Sequence, residues 1–446
     1  MKMTRSGWFT LMGAVVLVWG AVCGLILVTS LTRESVYKYP GRGLPIVEIE
    51  LKGVTQEEIN NGSKDIKYEG NELNINNNGR VSEYKNVEVK GRGNSTWTWD
   101  KRPYRIKFDE KVDVLGMGKA KKWCLLANYV DGTDLRTEIG FTLEKMLDMK
   151  YTMDGRFIEF YVDGNYQGLY YLTKAVEVSS NVVDLKDDLG VLVELDNIYG
   201  TLEEKYYTTG NGDILTIKDV AKEENDEQAM EDFLMNYNEL EKAIEAKDYK
   251  KISELADVES FAQYYLLSEF TVNPDAYWTS FYMNKDGKED KIHAGPGWDF
   301  DMALANRNWG IFSWLGERLY STTETMVRKL ELSPEAWVEM GNNEEEFEVN
   351  EQISTIMYDL MEIPEFQDEV MRVFNERMAG KGEELVTRIR NKATEIYQAA
   401  LKDGEKWEKS NFITETKNLI KWVKARYDYF EDTYGDDKVN QEQILL

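Results

Sequence analysis

Two aspartates stand two residues apart in the segment WDFD, Asp299 and Asp301, and a third, Asp275, precedes them by 24 residues in NPDAY. In an extended segment both WDFD carboxylates project to one side, a spacing that can hold a hard divalent cation. Such a cation takes oxygen ligands, and phosphoryl transfer needs a carboxylate that accepts the incoming hydroxyl proton. Three acids in one connected loop system would cover both tasks. The plain structural reading is that they cap turns or pair with Arg307. Other chemistry is scarce, because the chain has one histidine, His293, and two cysteines, Cys23 and Cys124. That removes most nucleophile and base pairs, a disulfide framework and thiolate metal clusters. Carboxylates, Lys, Arg, hydroxyls and backbone amides remain, a set suited to magnesium and phosphate. His293 itself reads as a hydrogen-bonded structural residue.

A second group lies near residue 90. GRGNSTW follows the strand-like NVEVK and precedes the strand-like PYRIKF. Gly91 and Gly93 would allow close backbone approach, while Arg92, Asn94, Ser95 and Thr96 offer donors to phosphate oxygens. A hairpin turn that needs only glycine torsions is the competing reading. In PYRIKF the alternation puts Tyr104, Ile106 and Phe108 on one face and Arg105 and Lys107 on the other. Two cations beside a glycine turn can neutralise phosphate, or they can form the solvated face of a half-buried strand.

These residues need two kinds of scaffold. Up to about residue 218 the periodicity is that of strands: NVEVKGRG, PYRIKF, KWCLLANY, RFIEFYVDGNYQGLYYL and GVLVELD, with VDGNYQ as a hairpin turn. One helix interrupts them at DGTDLRTEIGFTLEKML, with Asp131, Thr133 or Asp134 available as its cap. Beyond residue 225 the period becomes 3.6. Met230, Phe233, Leu234, Tyr237, Leu240 and Ile244 form one stripe, and Ile420, Val423, Tyr427 and Phe430 another. Pro364 and Gly380 bracket a further helix. The aromatic and acidic stretch holding Asp275 and WDFD fits neither period and reads as loops and short strands. Acidic clusters at 223–227 and 344–348 read as solvated surface.

The 446 residues exceed one ordinary domain, and 42% hydrophobic with 12% aromatic content supplies a large core. Asp and Glu outnumber Lys and Arg by 81 to 54, a net charge of −27 that argues against nucleic acid as a partner. From Ser6 to Thr32 no residue is charged, and Lys2 and Arg5 precede the run. About 20 apolar helical residues cross a bilayer, and the positive-inside rule keeps the N-terminus in the cytoplasm. The expectation is a signal anchor at 1–32, a linker at 33–45, a β-rich part at 46–218 and a mainly helical part at 219–446. A cleaved secretory signal is the competing reading, though the apolar run exceeds the usual 7–15 residues and lacks a clean A-x-A site.

Taken in order, KGRGNSTW, the block from KRPYRIKF to LLANYVDGTDLR, GNYQGLYYLT, GVLVELD, NPDAY and GPGWDFDMALAN resemble the CotH-type atypical protein kinases, a family of spore-coat proteins and their exported relatives. The resemblance covers roughly residues 46–430. It implies an α+β, distant protein-kinase-like fold of two lobes around ATP and Mg2+ (or Mn2+), with the β-rich part as the nucleotide-binding lobe, and transfer of the γ-phosphate to Ser or Thr of another protein. By the same resemblance Asp275 matches the catalytic aspartate and Asp299 the metal-binding one, with Asp301 beside it. Arg92, Gly93, Asn94 and Ser95 match the phosphate-facing turn, and Lys107, in the strand it shares with Arg105, the cation that follows. Two positions depart from the family pattern. Lys174 stands where relatives often carry an acid, with Glu177 three residues on, and Ala305-Asn306 follows WDFD where a glycine often precedes the asparagine.

The reading is a membrane-anchored kinase whose single-pass helix holds the globular part outside the cell membrane, acting on an extracytoplasmic or spore-surface protein. A pseudokinase serving as a surface binding or assembly protein is one alternative, which Lys174 favours; a metal-dependent phosphohydrolase using the same acids on water is another. The anchor is tested by fractionation. Full-length protein is expected in the membrane fraction, and release into the medium with a new N-terminus near about residue 30 would show cleavage instead.

Overall fold

The computed structural model describes residues 43–273, 275–306 and 354–436. The anchor at 1–32, most of the linker, Arg307 and the 344–348 acidic cluster lie outside them. Among the described residues no helix is long and apolar enough to cross a membrane.

Seven strands close into a barrel: β1 (Ile46–Glu50), β2 (Tyr68–Asn77), β3 (Arg80–Gly91), β4 (Tyr104–Asp113), β5 (Lys119–Leu126), β6 (Gly155–Val162) and β7 (Asn165–Lys174). Their order is β1-β2-β3-β4-β5-β7-β6, and β6 returns parallel to β1 to close the ring. Alternation builds the interior. Tyr104, Ile106 and Phe108 point inward with Val87, Val89, Trp123, Leu125, Phe160 and Leu172, leaving Arg105 and Lys107 on the outer wall as the sequence predicts. The VDGNYQ hairpin forms too, with Asp163 and Gly164 at positive φ joining β6 to β7. A short helix, α1 (Gln56–Asn61), begins at a Thr55–Glu58 capping box.

The far wall of the barrel is also covered, which is why GLYYLT in β7 reads as a continuous apolar run. Phe157, Leu169 and Tyr171 pack outward against Ile139 and Phe141 of α2 (Arg136–Met146). No side chain caps α2 at its first residue. Asp131 does that work from outside the helix, accepting from the Arg136 amide at 2.9 Å.

A second antiparallel sheet contains β8 (Gly190–Leu195), β9 (Tyr207–Thr208), β10 (Ile214–Val220), β11 (Phe281–Asp286) and β12 (His293–Ala294) in the order β12-β11-β8-β10-β9. The boundary expected at 218/219 falls inside β10. Helices α3 (Asp226–Glu245), α4 (Tyr249–Leu255) and α5 (Val258–Thr271) pack with this sheet. They share one core with α6 (Ile356–Met361), α7 (Pro364–Arg377), α8 (Gly382–Trp407) and α9 (Phe412–Tyr434). The molecule is therefore mixed α+β, with strands gathered in the first half and helices in the C-terminal part. Pro364 opens α7 as expected, and Gly380, at φ +74, lies two residues beyond its Met378 cap.

Helix α8 is fastened to the barrel by buried charge. Lys101, with no exposed surface, places Nζ 2.7 Å from Asp403 of α8, 2.6 Å from the Leu169 carbonyl and over the Tyr170 ring. Asp403 also accepts from the Leu169 amide and lies 3.2 Å from Lys409, which reaches Asp134 at 2.5 Å. Gly168 makes this approach possible: at φ +127, a Cβ there would stand 2.1 Å from the Asp403 carboxylate. Removing one partner leaves buried cations uncompensated, so Asp403→Asn is expected to destabilise the protein by about 3–5 kcal/mol. Urea unfolding checks this, with the exposed Lys424–Glu383 pair as the control whose loss leaves the midpoint unmoved.

Candidate functional site

A cleft between the barrel, α2 and the WDFD segment is lined by Arg92, Thr96, Trp99, Tyr129, Phe141, Trp298, Asp299 and Asp301 among others.

On the barrel side, the chain leaves β3 and turns through Gly91 to Thr98, where Ser95–Thr98 forms a 3-10 turn in place of the simple hairpin suggested by the sequence. Arg92 projects toward the cleft, its guanidinium 5.6 Å from the centre of the Trp298 ring. Gly93 is needed here: at φ +80, a Cβ would stand 1.9 Å from Thr96 Oγ1. Asn94 is turned aside to accept from Lys64, and Ser95 offers its carbonyl to the Thr98 hydroxyl at 2.6 Å. Thr96, rather than Asn94, brings a hydroxyl to the cleft, and that oxygen is buried without a hydrogen-bond partner.

Further along the wall, Arg105 lies across from Lys90 and Cys124, and its Nε is buried and unpartnered. Lys107 stands opposite Lys122, which pairs with Glu177 at 3.6 Å. This lobe thus has a lysine–carboxylate pair, made by Glu177. Lys174 instead donates to the Met117 and Asn181 carbonyls at 2.8 and 2.9 Å and pairs with Asp154.

On the opposite side the acids converge. Asp275 follows α5 in a turn where its amide donates to Asn273 Oδ1, and the Asn273 side chain donates to the Trp298 carbonyl at 3.3 Å, tying the turn to WDFD. WDFD is not extended. Asp299 adopts φ +61, a left-handed conformation unusual outside glycine. Asp299 and Asp301 nonetheless face the same cleft. Burial, then the charges of Asp299, Asp301 and Asp196, push Asp275 well above the usual carboxylate range. Burial and Asp299 raise Asp301 to about 8, and burial raises Asp299 despite Arg92 and a hydrogen bond from Ser280.

Two further acids escaped the sequence reading. Glu194 and Asp196 leave β8 toward this cluster. Glu194 pairs with Lys218, and Asp196 accepts from the Ile198 and Tyr199 amides. Their signal was present, since two acids alternating at the end of the apolar run GVLVELD need a reason for burial. His293 is structural, set 3.3 Å from Asp257 and 3.4 Å from Asp290.

Among the described residues no group of three or more His, Cys, Asp or Glu side chains forms a ready-made metal cage. Magnesium does not require one, because it is held by one or two carboxylates together with phosphate and water. The donor set fits that pattern. The acids here exceed the adjacent cation, Arg92, so a divalent cation would offset their repulsion, and unpartnered Thr96 Oγ1 is free to donate to an anionic ligand.

Residues 89–430 match the family model described as CotH kinase protein, a stretch that begins within β3 and ends within α9. No curated protein matches the chain.

Glu144 of α2 supports the approach to WDFD from below. It accepts from the Met153 amide at 2.7 Å, and burial holds its carboxyl well above the usual range. The folded state keeps a proton that the unfolded chain releases above its ordinary value of 4.5. The stability contributed by this protonated group is therefore complete below pH 4.5 and is lost as pH rises toward the folded value. Relative to Glu144→Gln, the parent should lose up to about 1.4 kcal/mol per pH unit across that window, read from urea unfolding of both proteins at pH 4 to 8.

Proposed function

The chain belongs to the CotH kinase family, and from that premise and the facing charges of the cleft we propose that it is an atypical protein kinase, transferring the ATP γ-phosphate to a Ser or Thr hydroxyl of another protein. The observation that carries this reading is that half-buried Asp299 and Asp301 line one cleft with Arg92 and Thr96, while buried Asp275 lies close enough for their charges to raise its proton affinity.

The phosphates would lie along the glycine turn, with Arg92 and the Thr96 hydroxyl donating to their oxygens and the aromatic wall of Trp99, Tyr129 and Trp298 excluding water. Asp299 and Asp301 would hold magnesium or manganese, which supplies charge neutralisation for the transferred phosphoryl group. Asp275 would orient the acceptor hydroxyl and take its proton as the oxygen–phosphorus bond forms and ADP departs. Its raised proton affinity favours taking up that proton. Arg105 and Lys107 add positive potential to the wall behind the turn.

The two groups of charge lie on different scaffolds, the barrel and the second sheet with its helices. This supports a kinase-like, two-lobed arrangement. Lys174, the feature that favoured a pseudokinase, is engaged with loop carbonyls, and Glu177 provides the pair with Lys122, which supports an active enzyme. An anchor at 1–32 would place the active part outside the membrane, with an extracytoplasmic protein as acceptor.

Incubation with labelled ATP, magnesium or manganese and a generic protein acceptor separates the readings. Protein-bound label is expected; free phosphate alone identifies a phosphohydrolase, and no turnover identifies a pseudokinase. Asp275→Asn should keep nucleotide binding and lose about 10²–10⁴-fold in transfer. Asp299→Asn should abolish metal-dependent nucleotide binding. Near-normal transfer by the first variant, or parent-like Mg-ATP affinity in the second, overturns the division of roles.

A further inference from the structure

The segment after WDFD holds an uncommon backbone. Leu304 and Ala305 have φ of +52 and +56, so with Asp299 at +61 three non-glycine residues within seven are left-handed. Residues with a Cβ leave that region unless surrounding contacts fix them. The contacts here come from the first residue of α2 and the loop before it. Arg136, only 2% exposed, donates from Nε to the Ala303 carbonyl at 2.9 Å and from Nη2 to the Ala305 carbonyl at 3.4 Å, while Nη1 pairs with Asp131. Asp131 is itself fixed, accepting from the Thr133 amide at 2.8 Å, the Thr133 hydroxyl at 2.7 Å and the Arg136 amide. Asn306 completes the clasp, its side chain donating to the Asp301 carbonyl at 2.7 Å and to the Val130 carbonyl at 3.2 Å.

We propose that Arg136 is a positioning residue for the acid pair: bridging Asp131 to the Ala303 and Ala305 carbonyls, it fixes the backbone that presents Asp299 and Asp301 to the cleft. This rests on the reading that those acids serve a metal and nucleotide. A planar guanidinium is required, because its fixed fork reaches two carbonyls and a carboxylate at once. A lysine keeps the charge beside Asp131 but offers a single nitrogen, which cannot span the same three acceptors. The Ala305-Asn306 departure from the family pattern has a physical meaning in this setting. Where a glycine would take positive φ freely, alanine must be held there, and the guanidinium bonds its carbonyl.

The test uses full-length Arg136→Lys beside the parent. Mn2+ affinity with and without ADP is read by electron paramagnetic resonance, ADP affinity without metal by calorimetry, and amide exchange across residues 299–306 by mass spectrometry. Expected are a folded protein, exchange at 303–306 at least tenfold faster, metal-dependent nucleotide affinity at least tenfold weaker, and metal-free ADP affinity within twofold of the parent. Faster exchange with unchanged Mn2+ affinity overturns the proposal and leaves Arg136 a purely structural residue. Should Arg136→Lys fail to fold, Asp131→Asn, which keeps the guanidinium but weakens its anchor, is expected to lower the same affinity at least threefold, and no change there overturns the proposal equally. A parent that binds neither Mn2+ nor nucleotide overturns the kinase reading and this inference with it, a result distinct from a binding parent whose variant is unaffected.

Discussion

Four charged side chains from distant parts of the chain, Lys101, Asp134, Asp403 and Lys409, meet where none has more than about a twentieth of its side chain exposed. Charges without water must be matched by one another, so their segments cannot drift apart without a cost of several kcal/mol. Lys101 precedes the first inward residue of β4, Asp134 lies between β5 and α2, and the other two belong to or follow α8. The cluster therefore fixes the barrel, the loop before α2 and a C-terminal helix in one geometry. It also raises Asp134 to about 7 through burial, with the Lys409 charge opposing that shift. Three residues on from Asp131, the same loop supplies the carboxylate that makes the cluster and two residues later the arginine that touches the acid segment. One continuous stretch thus couples the structural charges to the chemical ones.

The chemical charges obey a different rule. In the structural cluster two lysines face two aspartates, whereas Asp299 and Asp301 in the cleft, with Asp196, lie close enough to Asp275 for their charges to act on it, and Arg92 is the cation that bears on Asp299 and Asp301. A core assembled for stability alone would not keep that imbalance, since buried like charges raise each other's proton affinity and oppose folding. The excess makes sense if a cation and an anionic ligand complete it. The left-handed residues from Asp299 to Ala305 follow the same logic, as backbone conformations that persist only because neighbouring groups fix them.

Much of this was legible in the sequence. Strand alternation assigned the two faces of PYRIKF correctly, the Asp-Gly turn joined β6 to β7, and the 3.6-residue stripe of α3 is buried as read, apart from Leu234 at its edge. The three acids were found from residue type and spacing. The errors lie where local pattern gives no information about direction. WDFD was taken as extended, yet Asp299 is left-handed and the acids share a side through the loop's path. Asn94 reads as one of four donors in its turn, and in the structure its Oδ1 accepts from Lys64, 30 residues away. Lys174 reads as leaving a lysine–carboxylate pair in doubt, and in the structure it pairs with Asp154 while Glu177 pairs with Lys122 on the neighbouring strand. Each depends on a partner distant in sequence, which periodicity cannot supply.

The family match begins at residue 89, within β3, whereas β1 and β2 precede it. Those two strands nonetheless bear on the cleft. β2 pairs along β3, and β1 joins β2 to β6, so the strand that ends in the Arg92 turn has neighbours on both sides and the barrel has no free edge. A turn carried by an edge strand could shift with small changes in register. One carried by a closed barrel has its base fixed from both sides, so Arg92 and Thr96 hold their place opposite the acids before any ligand arrives. Electrostatic stabilisation depends on donors already oriented where charge will develop. By this argument the strands that precede the family match contribute to the cleft by holding the Arg92 turn still.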